Sequence, residues 1–445
     1  MKRKYNCIVM GAAGRDFHIF LAFLRNNEHF RVKAFTATQI PFIGERNFPQ
    51  SLAGPEYAED IPIHDESEMA GLIKSHDIDF VFFAYSDIPH QELMHKASLV
   101  QAAGASFVML CPEHTQLKAA VPVVSITATR TGAGKSPLTQ WLARSLIDQG
   151  KRVAVIRHPM PYGNLNLQRV QRFAVAEDLD KHDCTIEERE EYEPYVKMGI
   201  PIYAGVDYQA ILDESQRDAD IVLWDGGNND YSFIRPDLDI VVVDALRAGH
   251  EIEYYPGEVN FRRADILVIS KADAAAPGAV YDIRERAGSL NPDAEICTAD
   301  LEILVDHPEF MEDQRVLVIE DGPTVTHGGM SYGAGIVAVT QYGGTPVDPR
   351  PYAQGTIADT FAAYPHLERV LPAMGYSEEQ RQALRATAQA CFDEENVACI
   401  VDASPAHFDW AFGDKVHIVR VSYKFRQLDG PPLLQRVLQL MQDAG

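Results

Sequence analysis

The chemistry-bearing spacing that stands out in this chain is residues 128–136, Ala-Thr-Arg-Thr-Gly-Ala-Gly-Lys-Ser. An apolar run, Val121–Ile126, precedes it, and Leu138, Trp141, Leu142, Leu146 and Ile147 follow at helical spacing. Strand, glycine turn and helix make the setting of a phosphate-binding loop. Successive backbone N–H groups there face one anion, and the helix N-terminus adds partial positive charge. Thr131, Gly132, Ala133, Gly134, Lys135 and Ser136 are then nucleotide-binding residues. Lys135 is expected to reach the terminal phosphates and the Ser136 hydroxyl to hold Mg²⁺.

One position departs from the common pattern, which asks for glycine where Thr129 stands. Arg130, five residues before Lys135, occupies the place where a deviant form of the loop carries a second lysine. ATPases that this form resembles use that lysine on nucleotide phosphates, often across a dimer. Arg130 is therefore a candidate catalytic cation, and a homodimer or higher homo-oligomer is expected.

A second constellation ends the apolar strand Ile221-Val-Leu-Trp224 in Asp225-Gly-Gly-Asn-Asn-Asp230. A carboxylate at the carboxyl end of a buried strand, close to the phosphate loop, suits Mg²⁺, which makes Asp225 a metal and catalytic candidate. Gly226 and Gly227 allow close backbone approach to the γ-phosphate. Asn228, Asn229 and Asp230 are placed to orient a nucleophile or substrate. A third stretch, Ser270-Lys-Ala-Asp273, is similar to the Asn-Lys-x-Asp signature of GTPases. Asp273 would accept from a guanine edge and the Lys271 stem would cover the ring, while the serine leaves adenine against guanine open. Arg157 and His158 follow the next strand as anion-holding substrate candidates. His250, paired with Glu251 at a spacing that does not suit a metal, and His327 in a glycine-rich turn are further substrate candidates.

The elements that position these residues read as α/β throughout. Residues 1–118 alternate short buried strands with helices, as in a Rossmann-like unit, with strands at Val32–Thr36, Phe80–Ala84 and Phe107–Leu110 and a helix from Phe17. Its turn Gly11-Ala-Ala-Gly14 lacks the full dinucleotide fingerprint, so its ligand stays unassigned. Residues 119–310 form the phosphate-loop NTPase domain. Its near-continuous apolar strands, Val153–Ile156, Ile221–Trp224, Ile240–Val243 and Ile266–Ile269, indicate a parallel sheet covered on both faces. Residues 311–445 make a smaller α/β unit, with strands at Val316–Ile319, Ile336–Thr340, Ala398–Val401 and Val416–Val421 and helices at Ile357–Tyr364 and Ser377–Phe392. The acidic run between Glu177 and Tyr195 reads as a solvated helix.

Composition narrows the class. The chain has 445 residues, 46% of them hydrophobic, enough for two or three cores. A net charge of −24 argues against nucleic acid and anionic membranes as partners, so any anionic ligand must be held by local cations and backbone donors. The six cysteines form no Cys-x-x-Cys pair, which fits reduced thiols in the cytoplasm. No segment has the length and apolarity of a membrane span, and the basic start is too short to be a secretion signal.

Taken together, these motifs resemble the cyclic 2,3-diphosphoglycerate synthetase-like family of phosphate-loop NTPases. The likeness rests on Thr131-Gly-Ala-Gly-Lys-Ser136, Trp224-Asp-Gly-Gly-Asn-Asn-Asp230, Tyr254-Tyr-Pro-Gly-Glu258, Ser270-Lys-Ala-Asp273 and Asp321-Gly-Pro-Thr…His-Gly-Gly329, and covers most of residues 120–345. The resemblance implies an ATP-dependent synthetase that joins phosphoryl groups on a small anionic, phosphorylated substrate. Lys135 and Mg²⁺ would hold the β/γ-phosphates, and Arg130 or Arg157 would offset substrate charge. Many members are labelled only as GTPases, so the alternative is a regulatory or maturation GTPase acting on a protein partner.

Overall fold

The computed structural model describes residues 4–11, 14–37, 46–158, 163–227, 230–326, 329–374, 378–404 and 416–443. Its contacts group the chain into two compact units, one of residues 1–174, 198–298 and 429–445, the other of residues 175–197 and 299–428. The fold is mixed α/β with mostly parallel sheets.

Among the described residues the first unit holds a two-stranded ribbon, Ile88–Pro89 with Tyr254–Tyr255, and two large sheets. One has six strands in the order Asn47–Phe48, Ile61–Asp65, Phe30–Ala37, Tyr5–Met10, Phe80–Phe83 and Ser106–Val108, parallel except for the first pair. Phe17, Phe20, Phe35 and Phe48 pack edge to face or tilted beneath it, with centroids 4.9 to 5.7 Å apart. The segment expected as one helix from Phe17 is an α-helix over Arg15–Ile19 that widens to a π-helix over Phe20–Leu24.

The other sheet runs Gln171–Phe173, Ile202–Ala204, Val153–Arg157, Ile221–Asp225, Val123–Ala128, Leu238–Asp244 and Ile266–Ser270, then residues 295–298. All its pairs are parallel except the first. All six residues of Val123–Ala128 are buried, as expected for a central strand covered on both faces. The helix Lys135–Asp148 places Leu138, Leu142 and Leu146 on one buried stripe, four residues apart.

In the second unit residues 299–305 pair antiparallel with 421–427. The strands His417–Gln427, Cys399–Ala403 and Arg315–Asp321 follow side by side in parallel, and Arg315–Asp321 also pairs with Thr345–Pro346 and Leu371–Ala373.

Two expectations are corrected here, and one strand had no expectation. Ile336–Thr340 lies in a helix, Ala334–Gln341, whose buried Ala334, Gly335, Ala338 and Val339 follow helical rather than alternating spacing. A short apolar run does not separate the two by periodicity. The acidic run is helical over Ala176–Lys181 and Ile186–Lys197 but not simply solvated, because Tyr192, Tyr195 and Glu188 are buried. The stretch Glu295–Val305, with no strand expected, is an eleven-residue strand. Among the described residues no helix is long and apolar enough to cross a membrane.

Candidate functional site

The phosphate loop takes its shape from Gly132 (φ 76°) and Gly134 (φ 107°), left-handed positions that a side chain would strain. Lys135 then opens the helix Lys135–Asp148. Three successive loop carbonyls are tied back to later strands. That of Thr131 accepts from Arg247 Nη2, that of Gly132 from Lys271 Nζ at 2.7 Å, and that of Ala133 from the Ser270 hydroxyl. Among the described residues the amides of Gly132, Gly134 and Ser136 have no acceptor. With carbonyls committed and amides available, the loop offers donors to an anion.

Asp244 anchors this brace from the end of its own strand. It is buried and accepts from Arg247 Nε at 2.9 Å, Lys271 Nζ at 3.0 Å and the Leu246 amide at 3.1 Å. Burial alone would raise its carboxyl pKa, but Lys271 and Arg247 more than reverse that, and it lies below the usual range. The Lys271 ammonium is lowered by burial, which Asp244 only partly offsets. Lys271 thus points at the loop and Asp244, and its expected partner Asp273 is exposed in the next turn. Asp244 and Arg247 escaped the sequence reading, although an aspartate ending a buried strand is the same signal that singled out Asp225.

Asp225 lies opposite Ile126 on the neighbouring strand and has no exposed surface. Arg157 Nη1 sits 2.9 Å from it, and the Thr139 hydroxyl donates at 3.3 Å. Arg157 also donates to the Gly226 carbonyl at 3.2 Å, so the expected substrate cation is paired with the expected metal ligand. Gly226 and Gly227 are needed for space: side chains there would press on the Ile126 carbonyl and on His158. Among the described residues no group of three or more His, Cys, Asp or Glu could hold a metal. A buried carboxylate and the Ser136 hydroxyl are oxygen donors of the kind Mg²⁺ takes when it is shared with nucleotide phosphates rather than held in a protein-only cage.

Further along, Asp230 is buried and bridges two side chains. One carboxylate oxygen meets Arg15 Nη1 at 2.8 Å and the other lies 3.3 Å from His158 Nε2. Burial opposes the charge of Arg15, but Asp230 raises its pKa, so it is a fixed cation. Its guanidinium also donates to the Tyr85 carbonyl at 2.9 Å and lies 5.0 and 5.2 Å from the rings of Tyr231 and Tyr255. Arg130 is held as closely: Nε donates to Asp87 at 2.8 Å, Nη1 meets His250 Nδ1, and the guanidinium lies 3.6 Å over Tyr254. Burial, then Arg130 and Arg247, lower the His250 pKa, so the neutral ring can accept from Arg130. Asn228, Asn229 and His327 lie outside the described residues. Arg15 and Asp87 are site-proximal residues the sequence did not mark, since each acts through a partner far along the chain.

The sheet order, the strand–loop–helix and the loop's available amides define a phosphate-loop NTPase. No family model matches the chain. It is 50% identical over 439 residues, 98% of its own length and 97% of the relative's, to the arginine synthetase ArcE of Thermococcus kodakarensis, and it belongs to that family. It is also 24% identical over 213 residues, 43% of this chain and 48% of the other, to the cyclic 2,3-diphosphoglycerate synthetase of Pyrococcus furiosus. Among solved structures, LpxK from Aquifex aeolicus in complex with ATP matches with a TM-score of 0.39 and 12% identity, covering 74% of this chain and 90% of that one. The protein is accordingly a phosphate-loop enzyme of the synthetase class that uses a nucleoside triphosphate.

Proposed function

We propose that this chain uses ATP and Mg²⁺ to activate a small acid by phosphoryl transfer, and that its product is arginine. The observation that carries the reading is the braced loop of residues 131–136 in a chain 50% identical, end to end, to an arginine synthetase. In the proposed roles, Lys135 and the loop amides hold the β/γ-phosphates and Ser136 and Asp225 hold the ion. Mg²⁺, when bound, neutralises phosphate charge and fixes its orientation. Arg157 holds Asp225 in place, and Asp230 with His158 borders the acceptor.

The chemistry follows from the product. The guanidinium carbon of arginine bears three nitrogens, so the precursor lacking one of them is a ureido acid. Its carbonyl oxygen attacks the γ-phosphorus, the bond to ADP breaks, and an O-phosphorylated isourea forms. Ammonia then attacks the carbon, the C–O bond breaks, and inorganic phosphate leaves as the nitrogen loses a proton. Excluding water protects the activated intermediate from hydrolysis. A ureido acid labelled with ¹⁸O at its carbonyl tests this directly: the label should leave in phosphate, and retention of all label elsewhere would contradict the phosphoryl-activation route.

A second reading, phosphoanhydride formation on a phosphorylated acid, is favoured by the 24% match to the diphosphoglycerate enzyme. The same assay with phosphorylated acids in place of the ureido acid separates the two.

A further inference from the structure

We infer that Arg15 and Asp87 are positioning residues, Arg15 for the acceptor side of the ATP site through Asp230 and Asp87 for the phosphate loop through Arg130, and that the dipeptide Tyr254-Tyr255 clamps Arg15 and Arg130. The inference rests on the ATP-site reading and adds what holds that site in shape. It gives the six-stranded sheet a role in building the site rather than in binding a ligand of its own.

Past the first strand, the Asp16 carboxylate caps its own helix start. The Gly14 amide lies 3.2 Å from both carboxylate oxygens of Asp16, and the Phe17 amide donates to Asp16 at 2.7 Å. A side chain at Gly11 would strike the same carboxylate. The amides of Gly14 and Phe17 are thus committed to an internal carboxylate, whose charge also repels an incoming anion. What the turn presents is Arg15, 2% exposed, directed onto Asp230. A second strand end of the same sheet leads to Asp87, whose carboxylate holds Arg130 at 2.8 Å and approaches the Thr131 amide at 3.4 Å.

A two-strand ribbon joins these contacts. Tyr254 pairs with Pro89 and Tyr255 with Ile88, directly after Asp87. Successive side chains of a strand face opposite ways. Tyr254 therefore lies on Arg130 at 3.6 Å while Tyr255 lies beside Arg15 at 5.2 Å. Each arginine is fixed by one carboxylate and at least one ring. A buried ion pair adds little net stability over an apolar equivalent, because desolvation offsets the attraction, but it does fix orientation. Asp230 and Arg130 border the loops on which phosphoryl transfer depends, so their fixed orientation is where such pairs would matter.

The test uses the full-length protein and the variants Arg15→Lys, Arg15→Ala, Asp230→Ala and the Arg15→Ala/Asp230→Ala pair. ATP affinity is read by calorimetry with Mg²⁺, turnover by ADP and arginine formation, and folding by thermal unfolding. Losing the guanidinium fork should lower kcat by about 100-fold, the scale of an ångström-sized misplacement, with ATP affinity changed less than about 3-fold. Arg15→Lys keeps the charge and a folded chain but should show most of that loss, and guanidinium in solution should restore part of the Arg15→Ala activity. The double variant should lose no more than the worse single one, since the two act as a unit. For Asp87→Asn, ATP affinity should fall about 10-fold, since a neutral amide leaves one acceptor oxygen where Arg130 and the Thr131 amide each used one of a charged carboxylate. Folded Arg15→Lys with wild-type kcat, or losses at Arg15 and Asp230 that multiply, would overturn the inference. Retained ATP use in Lys135→Ala would instead sink the site reading beneath it, so the two failures are distinct.

Discussion

Replacing Asp244 with asparagine probes the brace behind the phosphate loop. Asp244 is 2% exposed and is the shared counterion of Arg247 and Lys271, with contacts of 2.7 to 3.0 Å. Removing one partner of a buried ion pair costs about 3–5 kcal/mol. Here the cations keep their loop carbonyls and 9% and 15% side-chain exposure, which places the loss near the lower end. About 3 kcal/mol corresponds to a fall in Tm of roughly 6–12 °C for a domain of this scale. The carbonyls of Thr131 and Gly132 would also lose rigid donors, so ATP affinity should weaken by about 10-fold, or 1.4 kcal/mol. The pH dependence has a definite sign. The folded-state pKa of Asp244 lies below its usual value, so its contribution is full at neutral pH and is lost as pH falls below about 4. Differential scanning fluorimetry at pH 7 and at about pH 2.5, with ATP titrations at pH 7, should show a gap between variant and parent that narrows in acid. An Asp244→Asn protein with unchanged Tm and ATP affinity at pH 7 would refute the brace.

Other outcomes follow from the same geometry. Lys135→Ala should reduce ATP turnover by about 100-fold or more while leaving the fold intact, as thermal unfolding would confirm. Gly257→Ala drives a methyl into the Thr129 carbonyl at the mouth of the loop, so it should destabilise by about 2 kcal/mol or more and impair ATP binding. Glu320 is pushed up to about 7, chiefly by burial. The unfolded chain releases that proton near 4.5, so denaturant unfolding should show stability falling by about 3 kcal/mol between roughly pH 4.5 and 7. Glu320→Gln should flatten that slope.

The parts of the fold legible in the sequence were those with local causes. Ile221–Asp225 and Ile266–Ser270 are continuous apolar runs because both sheet faces are covered, and glycines before Lys135 mark the loop directly. Residues 295–305 lack such a run, since that strand is only partly buried, and Ile336–Thr340 is too short for its period to decide. The candidate site divides the same way. Lys135, Asp225, Lys271 and Asp230 sit at strand ends or loops with recognisable composition. Arg15, Asp87 and Tyr254 take their place from pairing with residues remote in the chain, which no local spacing encodes. Arg157 illustrates the limit: its position at a strand end was legible, its pairing with Asp225 was not.

The most direct test of the central claim is product analysis of the purified protein with Mg²⁺, ammonia and a ureido acid precursor of arginine, supplied with ATP or GTP, beside Lys135→Ala. The account predicts arginine, ADP and phosphate in equal amounts from ATP, with formation lost in the variant. Slow GTP-selective turnover indifferent to every acid, with no arginine formed, would contradict it.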